Sequence, residues 1–529
     1  MIYNPLEEYQ KKLKELHLKH ANDFLEELVR KSSVNIAENK KTVQEYNACL
    51  QGSAKLRKKL NWLRFLRVIL CILILTIPIV IMKITPKIKA LREEIANIDA
   101  KAAELLALAK SQMAPLNSLF TDRDCIQLFE KTIPDFVFDV NFDVKQEEDM
   151  KNNYDFVSDD IEESTLDTLA GRYNGNPFLM ENKKIHTMGT ETYHGYKTIT
   201  YTEYYTDSDG KRRSRTATQT LEATVTKPKP YYSTQVVLSY GAQGAPDLNF
   251  SRDASHLNQK SDRQIERYVK RGERRLKRKT DRALDQNQEF VSMSNTDFEV
   301  LFDALDRDNE VQFRTLFTPL AQTNMVDLIL SDDTYGDDFH FIKRKRMNKI
   351  VSTHSQSRAL LLWANEYKSY DFEVIKANFI NKNAEYFKAV YFDFAPVLAV
   401  PMYQEEPVHS LDPLPDYARL YATKECEVLS NLMDDKYVVH PDTKTEAIVK
   451  PQFVKTANGV DEVLVTAYSY DIEPRVDVVS VYGRDGRWHN VNVPWDEYIP
   501  LENSKSFFVT KVGEGAKALA RRNGLCIYN

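Results

Sequence analysis

The sequence lacks the residue patterns that build the familiar enzyme centres. Its five cysteines and ten histidines form no Cys-x-x-Cys pair and no His-Glu-x-x-His motif, and it contains no Gly-x-Ser-x-Gly, Walker loop or Gly-x-Gly-x-x-Gly. The sequence therefore contains none of these linear signatures of zinc sites, nucleophilic serines or nucleotide-binding loops. They predict no metal and no cofactor. An enzyme whose site is assembled from distant residues stays open as an alternative.

The chain also lacks an excess of positive charge. Its net charge is −5 at pH 7, with a pI of about 6.1. This balance gives no overall attraction to nucleic acid, so nucleic acid is not a predicted partner, and any polyanion would need a local basic patch. Disulfide spacing is missing too, because Cys125, Cys426 and Cys526 are scattered, which is typical of a reducing compartment.

One long apolar run stands out in this polar chain. The fifteen residues Val68–Met82 carry no charge, and their flanks extend the run to residues 63–84, which is long enough for a helix to cross a hydrocarbon core. Arg64, Arg67 and Lys83 would lie at its ends and reach toward lipid head groups. The run predicts one uncleaved transmembrane helix, and a buried core helix is the alternative.

Basic residues flank this run on both sides, with a slight excess before it. By the positive-inside rule, the excess predicts a single-pass cell-membrane protein whose N-terminus is cytoplasmic. The scattered cysteines favour a reducing compartment for the C-terminal part. The sequence therefore leaves open which side of the membrane the C-terminal part faces.

Helical patterns surround the apolar run. Residues 1–60 carry an approximate helical stripe that breaks at residues 31–33, which predicts two helices. After the run, apolar residues alternate spacings of three and four and form a heptad seam: Ile88, Leu91, Ile95, Ile98, Ala102, Leu105 and Ala109. The seam predicts a coiled-coil-like stalk helix over residues 86–113. It is equally compatible with a homo-oligomer through residues 88–109 and with packing inside the chain.

The later part of the chain has the pattern of strands with interspersed helices. Residues 192–225 and 476–493 alternate β-branched or aromatic residues with polar ones around Asp-Gly turns, which predicts two hairpins. Residues 261–285 and 415–433 have helical patterns. A mixture of this kind predicts an α+β fold.

A second apolar run and a cluster of acidic residues are both interpreted as structural. Residues 389–403 are apolar but contain Asp393, Pro396 and Pro401, so they are predicted as buried strands interrupted by turns and not as a second membrane crossing. The acidic residues 332–338, with the nearby His340, have the residue types of a cation site, but they are predicted as a solvated loop around a glycine.

The predicted organisation has N-terminal helices, one transmembrane helix, a stalk and a β-rich region with interspersed helices. Its segments are an N-terminal helical region (1–60), a transmembrane helix (61–85), a heptad stalk helix (86–115), a β-rich domain with a basic helix at 261–285 (116–285), an α+β segment (286–404) and a C-terminal region with a helix and a hairpin (405–529).

The strongest charge feature is the basic stretch SDRQIERYVKRGERRLKRKTDR at residues 261–282. On a helix, six arginines fall near one another at spacings of three, four and seven: Arg267, Arg271, Arg274, Arg275, Arg278 and Arg282. The pattern predicts an amphipathic basic helix, and the favoured interpretation is a solvated helix whose charge is balanced by Glu266, Glu273 and Asp281. The alternative is a helix that binds an anion, whether lipid head groups, a wall polymer or nucleic acid.

A resemblance to a known family is carried by residues 290–320, FVSMSNTDFEVLFDALDRDNEVQFRTLFTPL. They resemble a bacterial family of uncharacterised membrane proteins, catalogued as a domain of unknown function. Phe298 and Phe302 match its Phe-x-x-x-Phe element, and Thr318 and Pro319 match its helix-opening Thr-Pro pair. The resemblance covers about residues 90–405 and implies N-terminal membrane helices and a large soluble α+β domain. It implies no activity and no functional residues, and its members often have two adjacent membrane helices where this sequence has one.

These observations predict a membrane-anchored, non-enzymatic scaffold or assembly protein. It would present a large α+β interaction domain to an unknown protein partner at the lipid bilayer. The first alternative is an anion-binding module that uses the basic helix. The second alternative is an enzyme with a discontinuous site.

Overall fold

The fold is that of a computed structural model, which describes residues 1–72, 80–157, 161–286, 290–407, 419–513 and 518–529. The chain forms two compact units, and each is assembled from segments far apart in sequence. The helical unit consists of Glu7–Asp135 and Leu361–Tyr391, and the sheet unit consists of Met1–Leu6, Phe136–Leu360 and Phe392–Asn529. Helices and antiparallel sheets are both present, which confirms the α+β class.

The α-helices are α1 (Pro5–Glu8), α2 (Lys14–Ser32), α3 (Ile36–Ile72), α4 (Thr85–Asn117), α5 (Asp124–Thr132), α6 (Val144–Tyr154), α7 (Asp262–Asp285), α8 (Thr296–Phe302), α9 (Glu310–Leu316), α10 (Pro319–Leu330), α11 (Phe372–Leu398), α12 (Thr423–Asn431) and α13 (Asp435–Val438). Stretches of π-helix span Tyr9–Leu13 and Val80–Ile84, and 3-10 turns span Leu257–Gln259, Thr353–Ser355, Ala364–Glu366 and Pro401–Gln404. The strands are β1 (Phe136–Asp139), β2 (Glu163–Tyr173), β3 (Asn176–Thr206), β4 (Arg212–Gly241), β5 (Asn249–Arg252), β6 (Phe339–Arg344), β7 (Met347–Ser352), β8 (Ile448–Ala457), β9 (Val460–Tyr482), β10 (Trp488–Lys511), β11 (Ala520–Arg522) and β12 (Leu525–Tyr528).

Helices α3 and α4 lie antiparallel in the helical unit. Ser53 donates a hydrogen bond to Asp99 over 2.7 Å, and farther from the apolar run Gln112 donates to Thr42 over 3.2 Å. The apolar cluster between the two helices contains Leu60, Leu63, Ile84, Ile88, Leu91 and Ile95. The predicted stalk helix is therefore present, and its seam packs against α3 of the same chain. A homo-oligomer through residues 88–109 stays a prediction.

The predicted membrane anchor over residues 61–85 is contradicted. Residues 73–79, at the centre of the apolar run, lie outside the described residues. Across the ranges that are described, none of the helices combines the length and the apolar character needed to span a bilayer. Arg64 and Arg67 place charge in the last turns of α3, and Leu63 and Ile84 are buried in the α3–α4 cluster. The single-pass localisation is therefore wrong, and with it the predicted role of Arg64, Arg67 and Lys83 as flanks of a span.

The core of the helical unit joins the two segments that build it. Leu25 and Leu28 of α2 and Met113 of α4 are buried together with Tyr367 and Phe379, which come from the second segment. The Tyr367 and Phe379 ring centroids lie 5.0 Å apart in an edge-to-face arrangement, a favourable geometry for aromatic pairs. The first segment therefore completes its core only with residues that follow it by more than two hundred positions.

The sheet unit contains two antiparallel sheets. Strand order is β1-β2-β3-β4-β7-β6-β5 in one and β11-β12-β10-β9-β8 in the other. Both predicted hairpins are confirmed and are longer than predicted: β3 pairs with β4 from Phe178 to Thr206, and β9 pairs with β10 along nearly their whole length. Gly210 and Gly486 adopt φ values of 75° and 77° in the two turns, a conformation that favours glycine.

The two hairpins pack face to face within the sheet unit. Ile199 and Leu221 of the first hairpin are buried with Val491 and Val493 of the second. Gly195 allows the backbones to meet, because a Cβ built on it would lie 2.2 Å from the carbonyl oxygen of Asn492. A side chain at this position cannot be accommodated unless the strands separate.

The strands predicted over residues 389–403 are wrong. Most of this run belongs to helix α11, and the 3-10 turn Pro401–Gln404 follows it. Its side chains are buried on every face, so the sequence shows neither helical nor strand periodicity. Asp393 is satisfied by Ser355 and Arg358, and Pro396 lies in the last turn, close to the helix end.

The residues that carry the family resemblance have structural positions. Phe298 and Phe302 of α8 are buried, with their rings stacked 5.3 Å apart. Thr318 caps helix α10 by accepting a hydrogen bond from the Ala321 N–H over 3.4 Å, and Pro319 is the first residue of that helix. A Thr-Pro pair at this position suits a helix start because proline lacks the N–H that would stay unpaired there.

Replacing Gly195 with Ala is expected to lower the free energy of unfolding by about 1–3 kcal/mol, since the new methyl group meets backbone and forces the hairpins apart. Gly513→Ala is the matched control, because among the described residues its Cβ meets only a carbonyl oxygen, at 3.9 Å. Urea unfolding of both variants measures the difference. Equal stabilities of the two variants would contradict the close packing of the hairpins.

Candidate functional site

The basic stretch of the sequence forms helix α7, as predicted. It contains ten basic and five acidic residues, a net charge of +5 in a chain whose net charge is −5. At its start the Gln264 side chain accepts a hydrogen bond from the Ser261 N–H over 2.9 Å, which satisfies one of the amides that a helix leaves unpaired. The helix is therefore a concentrated positive patch with a defined beginning.

One face of α7 is fixed by packing. Leu276 and Ala283 are buried with Phe290, and Leu305 packs against them. A Cβ built on Gly272 would lie 2.2 Å from a methyl carbon of Val300, so only glycine lets the helix approach α8 this closely. The contact explains a glycine in the middle of a helix, where it costs about 1 kcal/mol relative to alanine. The arginines lie on the remaining, exposed faces of the helix.

The segment under α7 is held by one buried guanidinium, that of Arg307. Arg307 pairs with the carboxylates of Glu299 at 2.5 Å and Glu310 at 2.9 Å. The rings of Phe290 and Phe313 lie 4.6 and 4.2 Å from its guanidinium carbon. Because a buried charge without its partner is strongly unfavourable, these groups must stay together. They fix α8, α9 and the loop that contacts α7.

The structure brings all six predicted arginines together in two adjoining grooves. The larger has a volume of about 560 Å³ and is lined by Arg271, Arg274, Arg275, Arg278, Lys279, Arg282 and Leu305. The smaller, of about 270 Å³, contains Arg267 and shares Arg271 with the larger one. All six arginine side chains are exposed. We call this surface the arginine groove.

Most of the positive charge in the arginine groove is uncompensated. Among the described residues, only one of its basic groups has an ion-pair partner, Arg275 with Asp303. Lys279 and Lys260 donate to the backbone carbonyl oxygens of Leu305 and Ser255. Burial, with the charge of Arg307 nearby, lowers the pKa of Lys279. Arg267, Arg271, Arg274, Arg278 and Arg282 form no ion pair within the part of the chain that the structure describes. Neither do the carboxylates predicted to balance them, those of Glu266, Glu273 and Asp281.

The other predicted basic residues lie elsewhere. Arg64, Arg67 and Lys83 belong to the helical unit, whereas α7 belongs to the sheet unit. Arg64 and Lys83 are exposed, and Arg67 is half-buried. The described lining of the arginine groove includes none of the three.

The acidic cluster is only partly the solvated loop that was predicted. Asp337 is fully buried, pairs with Arg252 and accepts the N–H groups of Ser255 and Leu257. Asp338 accepts from both the backbone and the ring of His354, the latter over 2.7 Å. Across the described residues, no group of three or more His, Cys, Asp or Glu side chains is arranged to hold a metal ion.

A buried charge network connects α12 to the sheet and leaves no linear signal in the sequence. Lys424 lies 3.5 Å from Glu181 and 3.2 Å from Glu427, and Lys183 lies 3.6 Å from Glu181. Burial alone would raise the pKa of Glu181, but these lysines outweigh it and lower that pKa to about 2. Glu181, Lys183 and Lys424 therefore each have a partner of opposite charge within the network.

Lys343 is a buried amine that sequence analysis missed. Its ammonium donates to the carbonyl oxygens of Gly244, at 3.0 Å, and of Lys345, and it has no carboxylate at ion-pair distance among the described residues. Burial, together with the charge of Arg346, lowers its pKa to about 7. The sequence around it does not reveal that the amine is buried, because the alternation of residues in β6 is that of an ordinary half-exposed strand.

Comparison of the chain with family models, curated proteins and solved structures gave no match. The resemblance of residues 290–320 to a membrane-protein family stays a prediction. The arginine groove itself is thus the basis for inferring function.

Replacing Gly272 with Ala is expected to destabilise the packing of α7 by about 1–3 kcal/mol, although alanine favours helix formation by about 1 kcal/mol. The methyl group has no space beside Val300. Gly52→Ala in α3 is the matched helical control, because nothing lies within 4 Å of its Cβ. Hydrogen exchange of the amides in each helix measures both effects. Slower exchange in Gly272→Ala would contradict the close contact.

Replacing Lys343 with Met is expected to remove a pH-dependent part of the stability. Native Lys343 loses its proton near pH 7, whereas the unfolded chain keeps it up to about pH 10.5. Between these values the unfolded state binds one more proton, so wild-type stability rises with pH, by at most about 1.4 kcal/mol per pH unit. The difference in unfolding free energy between wild type and variant, measured from pH 6 to 10, isolates this slope from other groups. A difference that is constant with pH would refute the assignment.

Proposed function

We propose that this protein is a binding protein that holds a linear phosphodiester polyanion in the arginine groove. The observation that carries the proposal is the row of exposed arginines along one helix that have no ion-pair partner among the described residues. A row of this kind attracts anions strongly, and binding an anion does not require these arginines to break ion pairs with other described residues. Arginine also matches phosphate oxygens with two parallel hydrogen bonds, which lysine cannot do.

The spacing of the row favours a polymer over a single phosphate. Arg267, Arg271, Arg274, Arg278 and Arg282 recur about once per helical turn, so their Cα atoms span about 22 Å at a rise of 1.5 Å per residue. A ligand that neutralises the whole row must carry several negative charges along its length. Nucleic acids and glycerol-phosphate wall polymers share this phosphodiester chemistry.

The packing of α7 argues against binding through insertion into a lipid surface. Helices that lie in a membrane interface bury an apolar face among the acyl chains. The apolar face of α7 is already covered by Val300 and Leu305, and the side chains described on its other faces include no exposed large apolar residue. The fully exposed side chains described on α7 are polar or charged, which suits a soluble polyanion.

Charge reversal of Arg271, Arg274 and Arg278 to Glu is expected to weaken polyanion binding by about tenfold or more, and to reduce the slope of log affinity against log salt concentration by about 2. These residues have no ion-pair partner in the part of the chain that the structure describes, so stability should be unchanged. The control is Lys505→Glu, Lys511→Glu, Arg521→Glu, which changes the net charge equally on other exposed positions of the sheet unit.

Fluorescence anisotropy measures the binding of two probes, a labelled single-stranded oligonucleotide and labelled polyglycerol phosphate. Co-sedimentation measures the binding of a third, vesicles of anionic phospholipid. Binding of either polymer that is lost in the arginine variant and kept in the control supports the proposal and identifies the source of the phosphodiester. Three results contradict it: binding that does not depend on salt, equal losses in both triple variants, or binding of vesicles alone.

A further inference from the structure

The sheet unit contains a second cleft, distant in sequence from the arginine groove. Its volume is about 390 Å³, within the range of small-molecule sites. Three tyrosine rings line it, those of Tyr232, Tyr468 and Tyr470. Its polar lining includes the carboxylates of Glu162 and Glu502 and the imidazole of His186, and the described residues that line it include no Lys or Arg. We call it the tyrosine cleft.

Strand register explains why these side chains meet. His186 lies opposite Tyr232 across the β3–β4 pair, so both side chains point to the same face of the first sheet. Tyr468 and Tyr470 are two residues apart on β9 and share a face of the second sheet, where Tyr468 lies opposite Glu502. The tyrosine cleft is therefore built on strands of both sheets, which gives its side chains a rigid support.

His186 has an unused hydrogen-bonding atom in this cleft. Its side chain is only 9% exposed, and its ring lies between those of Tyr232 and Tyr470, with centroid distances of 5.3 and 5.6 Å. Nδ1 is hydrogen-bonded to the Glu162 carboxylate, which can only accept, so Nδ1 carries the proton. In the neutral ring Nε2 is then an acceptor, and it is buried without a partner among the described residues. Buried polar atoms of this kind are rare in native folds unless a ligand or water completes them.

We propose that the tyrosine cleft binds a small organic ammonium ion that carries at least one N–H group. The tyrosine faces attract a cation, the two glutamates supply opposite charge, and Nε2 of His186 accepts the N–H. Burial and the charge of Glu162 raise the pKa of Tyr470, which is consistent with a negative potential in the cleft. The carboxylates disfavour an anionic ligand, and a quaternary ammonium would leave Nε2 unpaired. Alkyl diamines and polyamines have the required chemistry.

Isothermal titration calorimetry of the full chain with putrescine tests the proposal, with tetramethylammonium and glucose as comparison ligands. Putrescine is expected to bind at least about tenfold more tightly than tetramethylammonium, since only putrescine can donate to Nε2. Glucose, which has no charge, is expected not to bind. No putrescine binding at millimolar concentration, or equal affinities for putrescine and tetramethylammonium, overturns the proposal.

His186→Phe keeps a ring between the two tyrosines but removes the acceptor, and should lower putrescine affinity by about tenfold or more. His194→Phe is the matched control, because His194 also lies on β3 with Nδ1 bonded to a glutamate, that of Glu222 at 2.7 Å, but is half-exposed. If His186→Phe fails to fold, Glu502→Gln tests the charge of the cleft and is expected to weaken binding similarly. Unchanged affinity in the folded cleft variants, or an equal loss in His194→Phe, overturns the proposal. Because ligand and residues differ from those of the arginine groove, the two proposals succeed or fail separately.

Discussion

The buried charge of Arg307 is the constraint on which the arginine groove depends. A guanidinium cannot lose its proton inside a protein, so its burial requires carboxylates at the same depth. Glu299 and Glu310 supply them from α8 and α9, and in doing so they hold the short helices in one arrangement. That arrangement presents Val300 to α7, and Gly272 lets α7 approach it. The six arginines that line the groove are among the charged side chains that this packing leaves exposed on α7.

The two candidate surfaces of the sheet unit differ in the sign of their charge and in the elements that carry their side chains. The arginine groove lies along a single helix and has a net positive charge, so its selectivity depends on ionic strength and on the length of the ligand. The tyrosine cleft is lined by strands of two sheets, has a negative lining and contains one specific acceptor in Nε2 of His186. Its selectivity depends on hydrogen-bond geometry. Their separation allows a polyanion and an organic cation to be bound by the same unit without competition for residues.

Local patterns in the sequence predicted helices and hairpins. They could not predict contacts between residues that are distant in the sequence. The heptad spacing of Ile88, Leu91 and Ile95 predicted a helix and its buried positions, but the identity of the partner helix depends on contacts with residues about thirty positions earlier. The arginine spacing predicted their common surface because a helix alone brings them together. Residues 389–403 misled the prediction because a segment buried on every side has no periodicity. The tyrosine cleft had no linear signal, since Tyr232 and Tyr470 meet only through two long hairpins.

The interleaved composition of the units has a consequence for synthesis of the chain. The ribosome completes α2 and α4 early, but Tyr367 and Phe379, which close their core, emerge only after the whole segment Phe136–Leu360. At about 5–20 residues per second, the delay lasts tens of seconds. During this interval Leu25, Leu28 and Met113 cannot pack against those rings as they do in the native core. Nascent chains of this protein should therefore depend on chaperones that shield apolar helices until translation passes residue 391, the end of the helical unit.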